Sequence, residues 1–320
     1  MRVSNKAIYD TVNHNLARAS DAMLKANKVV STGKRINRLS DDPVGLVSVL
    51  SLRSSIEYVG QLERNITTGR SWLNMGETAM SQMEDILSQA KALTIQMSSD
   101  NQGAEERANS AEAVEGYFQQ ILSLANTEVD GRYIFAGTHT DTPPYALGTD
   151  DGGNTAVTYQ GNDTAFEIRI AESINVAVGR IGTDIFGSWG NDLTADGDPL
   201  TDNWGDPGAG TGNIFKTLLD LKESLQTNDE AGIRTAMDEL DSQLNRLRAL
   251  VADTGSKLKR VELKQAIIKD LRLTYTDRKS ELEDADIAEA VMDLQAKQLA
   301  YQAALKSSAQ VMRMSLVDFM

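Results

Sequence analysis

Between residues 52 and 97, apolar and small side chains recur three and four positions apart: Leu52, Ser55, Val59, Leu62, Ile66, Gly69, Leu73, Gly76, Met80, Met83, Leu87, Ala90, Thr94 and Met97. Most of the positions between them are polar or charged. This spacing keeps one side of an α-helix apolar for about six heptads and predicts a helix over 44–98 that carries a coiled-coil seam. The same period returns in Ile233, Met237, Leu240, Leu244, Leu247, Val251, Thr254, Leu258, Val261, Gln265, Ile268, Arg272 and Tyr275. A second long helix follows from it, and the two seams are natural partners. A turn-like SSDNQG at 98–103 precedes a shorter stripe of Ala111, Val114, Phe118, Ile121 and Ala125, which predicts a helix folded back on the first. Ile214, Leu218, Leu221 and Leu225 predict another short helix that leads into the second long one.

Both chain ends carry thinner stripes. Ile8, Val12, Leu16, Ala19, Met23, Ala26 and Val30 form one seam. Ile287, Val291, Leu294, Gln298, Tyr301, Leu305, Ser308, Met312 and Leu316 form the other. Alanine, glutamine and serine interrupt both, so each has little apolar surface with which to offset the entropy of ordering a helix. These helices want neighbours, and their apolar positions are the candidate assembly interface.

The middle of the chain differs in kind. Residues 132–213 hold 14 of the 24 glycines, four of the five prolines, no lysine, and 12 acids against three arginines. Short β-favouring runs at 133–137, 155–161, 164–171 and 174–178 are separated by Gly, Asn and Asp turn signals. The fold expected is mainly α: an elongated helical bundle or coiled coil made from both chain ends, with a small β-rich insert. The domain reading is 1–43, an N-terminal assembly helix and connector; 44–131, the N-terminal half of a rod; 132–213, the insert; 214–280, the C-terminal half of the rod; and 281–320, a C-terminal assembly helix.

Composition narrows the chemistry. In 320 residues there are 32 Lys and Arg against 46 Asp and Glu, a formal net charge of −14, which opposes general attraction to nucleic acid or an anionic membrane. Cysteine is absent and only two histidines occur, so disulfides, thiolate nucleophiles and Cys-based metal centres are excluded. No apolar run is long enough to span a membrane, and the N-terminus has no apolar core of a secretory signal peptide. A protein exported from the cell would therefore use a route that reads something else.

No catalytic, cofactor or metal site is expected. His139 lies near Asp141 with no nucleophile beside it, which reads as an exposed turn. The acidic run at 196–206 lacks the ligand spacing and closing Glu of a calcium loop. The glycines at 208–212 lack the Lys-Ser/Thr of a phosphate loop.

The connector at 31–43, STGKRINRLSDDP, reads as a built break between helices. Gly33 can take the left-handed conformation that ends the first helix, Asp42 can cap the next, and Pro43 can open it. Lys34, Arg35 and Arg38 make it basic, suited to an acidic neighbouring surface. Taken alone, the same features also describe an ordinary helix–helix connector.

Two segments carry a resemblance. STGKRINRLSDDP at 31–43 resembles the motif after the first helix of the bacterial flagellin family, and SELEDADIA at 280–288 resembles the motif before its last helix. The matching positions are Gly33, Arg35, Asn37, Asp41, Asp42 and Pro43 in the first, and Glu283, Asp284 and Asp286 in the second. The opening MRVS, the DDP at 41–43 and DGRYIFAG at 130–137 resemble the branch of the family that sits between hook and filament.

This resemblance implies a non-enzymatic, self-associating structural subunit with no cofactor. It implies export to the bacterial flagellum, outside the cell, without a cleaved signal peptide. The implied partners are further copies of the chain, a neighbouring hook-associated protein, flagellin, and a cytoplasmic export chaperone; neither nucleic acid nor membrane is among them. It also implies terminal helices that order on assembly. The alternatives are a filament subunit or, from the heptads alone, a cytoplasmic coiled-coil scaffold.

Overall fold

The computed structural model describes residues 2–99, 101–149, 155–187 and 212–317. Seven helices and six short strands occur among them. In chain order they are α1 (Arg2–Thr32), α2 (Pro43–Met97), α3 (Ala104–Ala125), β1 (Glu128–Val129), β2 (Arg132–Tyr133), β3 (Tyr145–Thr149), β4 (Thr155–Tyr159), β5 (Glu167–Ala171), β6 (Ile174–Ala177), α4 (Gly182–Phe186), α5 (Ile214–Gln226), α6 (Glu230–Glu283) and α7 (Ile287–Val317). The chain is mainly α, with long helices from both halves and a small β-rich insert, as the periodicity predicts. It divides into two compact units, one of residues 1–60 with 269–320 and one of 61–268.

The larger unit holds the well-covered core. Every seam residue of α2 from Leu62 to Met97 is buried, as are Ile233, Leu240, Leu244, Leu247, Thr254, Val261 and Ile268 of α6. Within this unit Arg70 meets Gln265 at 3.3 Å and Arg248 meets Glu84 at 2.7 Å, and Lys91 pairs with Asp241. Rising numbers on α2 meet falling numbers on α6, so the two helices run antiparallel. α3 packs against α5 in the same sense: Phe118 lies 5.8 Å from Phe215 and Glu115 bonds Lys222 at 3.0 Å.

Arg107, buried, closes the end of this bundle. Its Nε donates to the Met97 carbonyl at 3.0 Å, while Nη1 reaches Asn228 Oδ1 at 2.7 Å and Glu230 at 3.1 Å. One guanidinium thereby ties the α2–α3 turn to the α5–α6 turn, and its burial is matched by charge-assisted bonds. The seam pattern alone gives no sign of it.

The insert forms three separate antiparallel hairpins, β1–β2, β3–β4 and β5–β6, each of two strands. Of the expected run at 133–137, only Tyr133 is in a strand; Ile134, Phe135 and Ala136 are buried in succession and Gly137 turns the chain at φ +67°. Consecutive burial removes the alternation that a half-exposed strand needs. β1 and β3 fall outside the predicted runs. An aromatic cluster seats the insert on the helices: Phe186 stacks on Phe215 at 5.2 Å, and Tyr145 lies 4.8 Å from Phe186 and 5.3 Å from Phe215. The acidic run at 196–206 and the glycines at 208–211 lie outside the described residues.

The β5–β6 hairpin rests on α2 at Gly69. A Cβ there would stand 2.2 Å from Ile168 Cδ1 and 3.0 Å from Val178 Cγ1, and Trp72 lies 4.8 Å from Phe166 alongside. Gly69 thus lets the hairpin approach the helix, at the usual cost of glycine in a helix interior. Gly69→Leu is expected to lower stability by about 1–3 kcal/mol through overpacking. Hydrogen exchange should show faster exchange in 167–177, with α6 unchanged.

Candidate assembly site

The connector after α1 is built from its own side chains. Gly33 takes φ +67° and its N–H donates to Val29 O at 2.9 Å, closing α1. Asp41 Oδ2 accepts the backbone N–H groups of Asn37 at 3.1 Å and Arg38 at 2.8 Å, and the Asn37 amide donates to Lys34 O at 2.6 Å. Asp42 Oδ1 accepts from Gly45 N at 2.8 Å and so caps α2, whose first residue is Pro43. These are local interactions between neighbours in sequence. Accordingly, Gly33, Asp42 and Pro43 are readable from the sequence as stop, cap and opening residues, whereas Asn37 and Asp41 enter there only as positions of the family motif.

What the sequence does not reveal is that this connector is clasped to residues 282–286. Lys34 and Asp284 form an isolated antiparallel bridge. Arg35 N donates to Glu283 O at 2.7 Å, Ala285 N donates to Gly33 O at 2.9 Å, and the Arg35 guanidinium donates to Leu282 O at 2.9 Å. Asp286 Oδ1 accepts from Ala288 N at 2.8 Å and Glu289 N at 3.3 Å, so it caps α7 as Asp42 caps α2. Asp284 accepts from the Ser280 hydroxyl. The two motifs, about 250 residues apart, form one junction where α1 ends, α2 begins, α6 ends and α7 begins.

Glu283 is the charged centre of that junction. It is 1% exposed, and its Oε1 accepts from Lys34 Nζ at 2.5 Å and from Arg53. Its Oε2 is buried without a hydrogen-bond partner, so both cations converge on a single oxygen. Burial by itself would push the carboxyl up, but the hydrogen bonds and charges of Lys34 and Arg53 outweigh it and hold the group below its ordinary value. The basic connector, expected to face an acidic neighbouring surface, finds its acid at the far end of the same chain. Arg53 was not singled out in the sequence, where it reads as an ordinary exposed arginine of a long helix.

From this junction α1 and α7 run together as an antiparallel pair. Val12, Leu16, Ala19, Met23 and Val30 of α1 are half-buried, as are Val291, Leu294 and Tyr301 of α7. Among the described side chains of the two helices, only Ala26, Ala290 and Ser308 are buried. Ile287, Gln298 and Leu305 lie on the exposed side of α7, which buries Ala290, Leu294, Lys297, Tyr301, Ala304 and Ser308 to different degrees instead. The α7 stripe is therefore turned slightly from the expected one, and Leu305 is left 41% exposed. Ile8, Met312 and Leu316 fall outside the residues whose side chains the structure describes.

Elsewhere, His139 is exposed in a turn, its N–H donating to Ala136 O at 3.3 Å. Among the described residues no group of three or more His, Asp or Glu is placed to hold a metal ion. No described helix is long and apolar enough to cross a membrane.

Comparison with known proteins follows the same two ends. Residues 3–140 match the family model described as the bacterial flagellin N-terminal helical region, and residues 237–320 match that of the bacterial flagellin C-terminal helical region. Flagellar hook-associated protein 3 of Escherichia coli is 26% identical, with 99% of this chain and 98% of that protein covered. Flagellar hook-associated protein 3 of Salmonella typhimurium is 25% identical, again over 99% of this chain and 98% of that protein. The crystal structure of flagellar hook associated protein-3 from Legionella pneumophila shares the fold, with a TM-score of 0.59 at 17% identity, covering 73% of this chain and 98% of that one.

The depressed Glu283 carboxyl has a pH consequence. Its contribution to stability is complete above the unfolded carboxylate value of about 4.3 and is lost as pH falls through the lower folded value. Glu283→Gln is expected to cost about 1–3 kcal/mol at neutral pH. The loss of stability on acidification should also be shallower in this variant, which thermal melts from pH 7 to 3 would measure.

Proposed function

This chain belongs to the bacterial flagellin family, and from that we propose that it is a structural subunit of the bacterial flagellum, placed at the junction between hook and filament. The relatives matched over 99% of this chain at 25–26% identity are hook-associated proteins, against 22% identity over 92% for a flagellin of Listeria monocytogenes, which favours the junction over the filament. In this reading the chain works outside the cell, reached by flagellar export without a cleaved signal peptide. Its partners are further copies of itself, the adjoining hook-associated protein and flagellin, and a cytoplasmic chaperone before export.

The mechanism proposed is coupled ordering and assembly of the terminal helices. One observation carries it: α1 and α7 are clasped together at one end by the Glu283 junction, yet almost none of their described apolar side chains is buried. A two-helix pair with half-buried seams is marginal in water, because helix stability in proteins comes mostly from tertiary packing of the apolar face. Neighbouring subunits supply that packing. The free energy of covering Val12, Leu16, Met23, Val291, Leu294 and Tyr301 is then released on incorporation, so order at the ends and polymer formation arrive together. The larger unit, with its own buried core, stays folded throughout.

Leu294→Asp is expected to leave residues 61–268 protease-resistant and to abolish incorporation. In cells lacking the native gene, the variant should give hooks without filaments and flagellin in the medium. Normal filaments would refute the assignment of the terminal helices. In the free subunit, limited proteolysis should cut α1 and α7 before it touches 61–268.

A further inference from the structure

A second surface, on the larger unit, also lacks a partner among the described residues. On α6, Val261 and Ile268 point into the core, which turns Leu263 and Ile267 to the opposite face, where they are 64% and 48% exposed. Lys259 and Arg260, both exposed, and Lys264, half-buried, surround them, and none of the three has an ion-pair partner among the described residues. Residues 256–268 carry four basic residues and one acid, Glu262, in a chain whose net charge is −14. Lys257 is already paired with Asp253 at 3.4 Å, so the free charge is that of the other three. Exposed leucine and isoleucine ringed by unpaired cations form an amphipathic patch of the kind that marks an interaction surface.

The complementary surface is present on the same unit. α3 carries four acids and one base, and that base, Arg107, is buried. Glu115 is paired with Lys222, which leaves Glu105, Glu106 and Glu112 as the charges α3 shows to solvent. Between them lie small or short side chains, Ala108 and Asn109, and a Cβ at Gly116 would meet nothing within 4 Å. The α6 patch lies level with the middle of α2, where Arg70 meets Gln265. α3 begins instead at the end of α2, where Arg107 holds the Met97 carbonyl.

We propose that the Leu263–Ile267 face of α6 docks on the acidic face of α3 in a second copy of this chain. The two surfaces are different and sit at different places on the unit, so the contact is heterologous and joins copies head to tail, in a ring or an open helical array. Opposite charge sets the register and opposes wrong pairings, while the two apolar side chains supply the area removed from water. The proposal rests on the reading that copies of this chain assemble with one another, and it adds an interface that the terminal helices do not supply.

The test uses the full-length chain in cells that lack the native copy. The triple variant Lys259→Glu, Arg260→Glu, Lys264→Glu should melt close to the native subunit, because none of the three side chains has an ion-pair partner among the described residues and none is buried. Its incorporation into sheared appendages should fall about tenfold or more. Adding Glu105→Lys and Glu112→Lys to the same chain should restore it. Incorporation of the triple variant at the native level, or failure of the second pair to rescue, would overturn the proposal.

The absence of cysteine allows a second measurement that does not depend on charge. Leu263→Cys and Asn109→Cys copies, expressed together, should form a mixed disulfide dimer in isolated appendages, in several-fold excess over either homodimer. Incorporated copies that give no mixed dimer would also overturn the proposal. Leu294→Asp reports separately on the terminal helices: if it incorporates normally while the triple variant does not, the terminal-helix reading fails and the α3–α6 contact stands.

Discussion

Glu283 is an anion taken out of water at the point where four helix ends meet, and the terminal architecture depends on how its charge is answered. A carboxylate removed from solvent in this way is costly unless it is paired and hydrogen-bonded. Here Lys34 from the connector and Arg53 from α2 converge on one of its oxygens, while its backbone carbonyl accepts from Arg35. Each partner comes from a different stretch of chain, so satisfying the charge fixes α1, α2, α6 and α7 in one arrangement. Ile36, buried beside the bridge, and the Asp42 cap complete a junction that is dense in specific bonds and small in apolar area.

The two compact units differ in how they are held. The larger has a continuous buried seam, an aromatic cluster beneath the insert, and a buried arginine joining two turns. The smaller has a polar junction and a helix pair with half-covered apolar faces. The assembly mechanism proposed above calls for this asymmetry: a body that is folded before it arrives, and ends that gain cover from neighbours. It also separates two kinds of specificity. Polar bonds at the junction set where the terminal helices point, and apolar surface along them sets how much is gained when they are covered.

Charge distribution tells a parallel story. A chain with net charge −14 repels its own copies at long range unless the basic residues are grouped. Many bases are used up internally: Lys91, Arg107, Arg180, Lys222 and Arg248 each pair with an acid inside the larger unit. The α6 patch is where three remain unpaired side by side around exposed apolar side chains. Grouping them there turns a general repulsion into a directional preference.

The helices were legible because their information is local and periodic. The seam of Val59 to Met97, the stop at Gly33 and the cap at Asp42 each depend on neighbours within one or two turns, so residue spacing was enough. Strand pairing was less so: Ile134, Phe135 and Ala136 favour β structure yet are buried in a loop, because burial on all sides is a tertiary outcome that no alternation encodes. The two terminal motifs could be picked out one at a time, and their resemblance to a known family pointed to the fold. That Lys34 and Arg53 meet at Glu283 was settled only by the tertiary structure. Contacts between residues some 230 to 250 positions apart depend on how long helices return the chain on itself, and a charge carries no mark in sequence of which opposite charge it will meet.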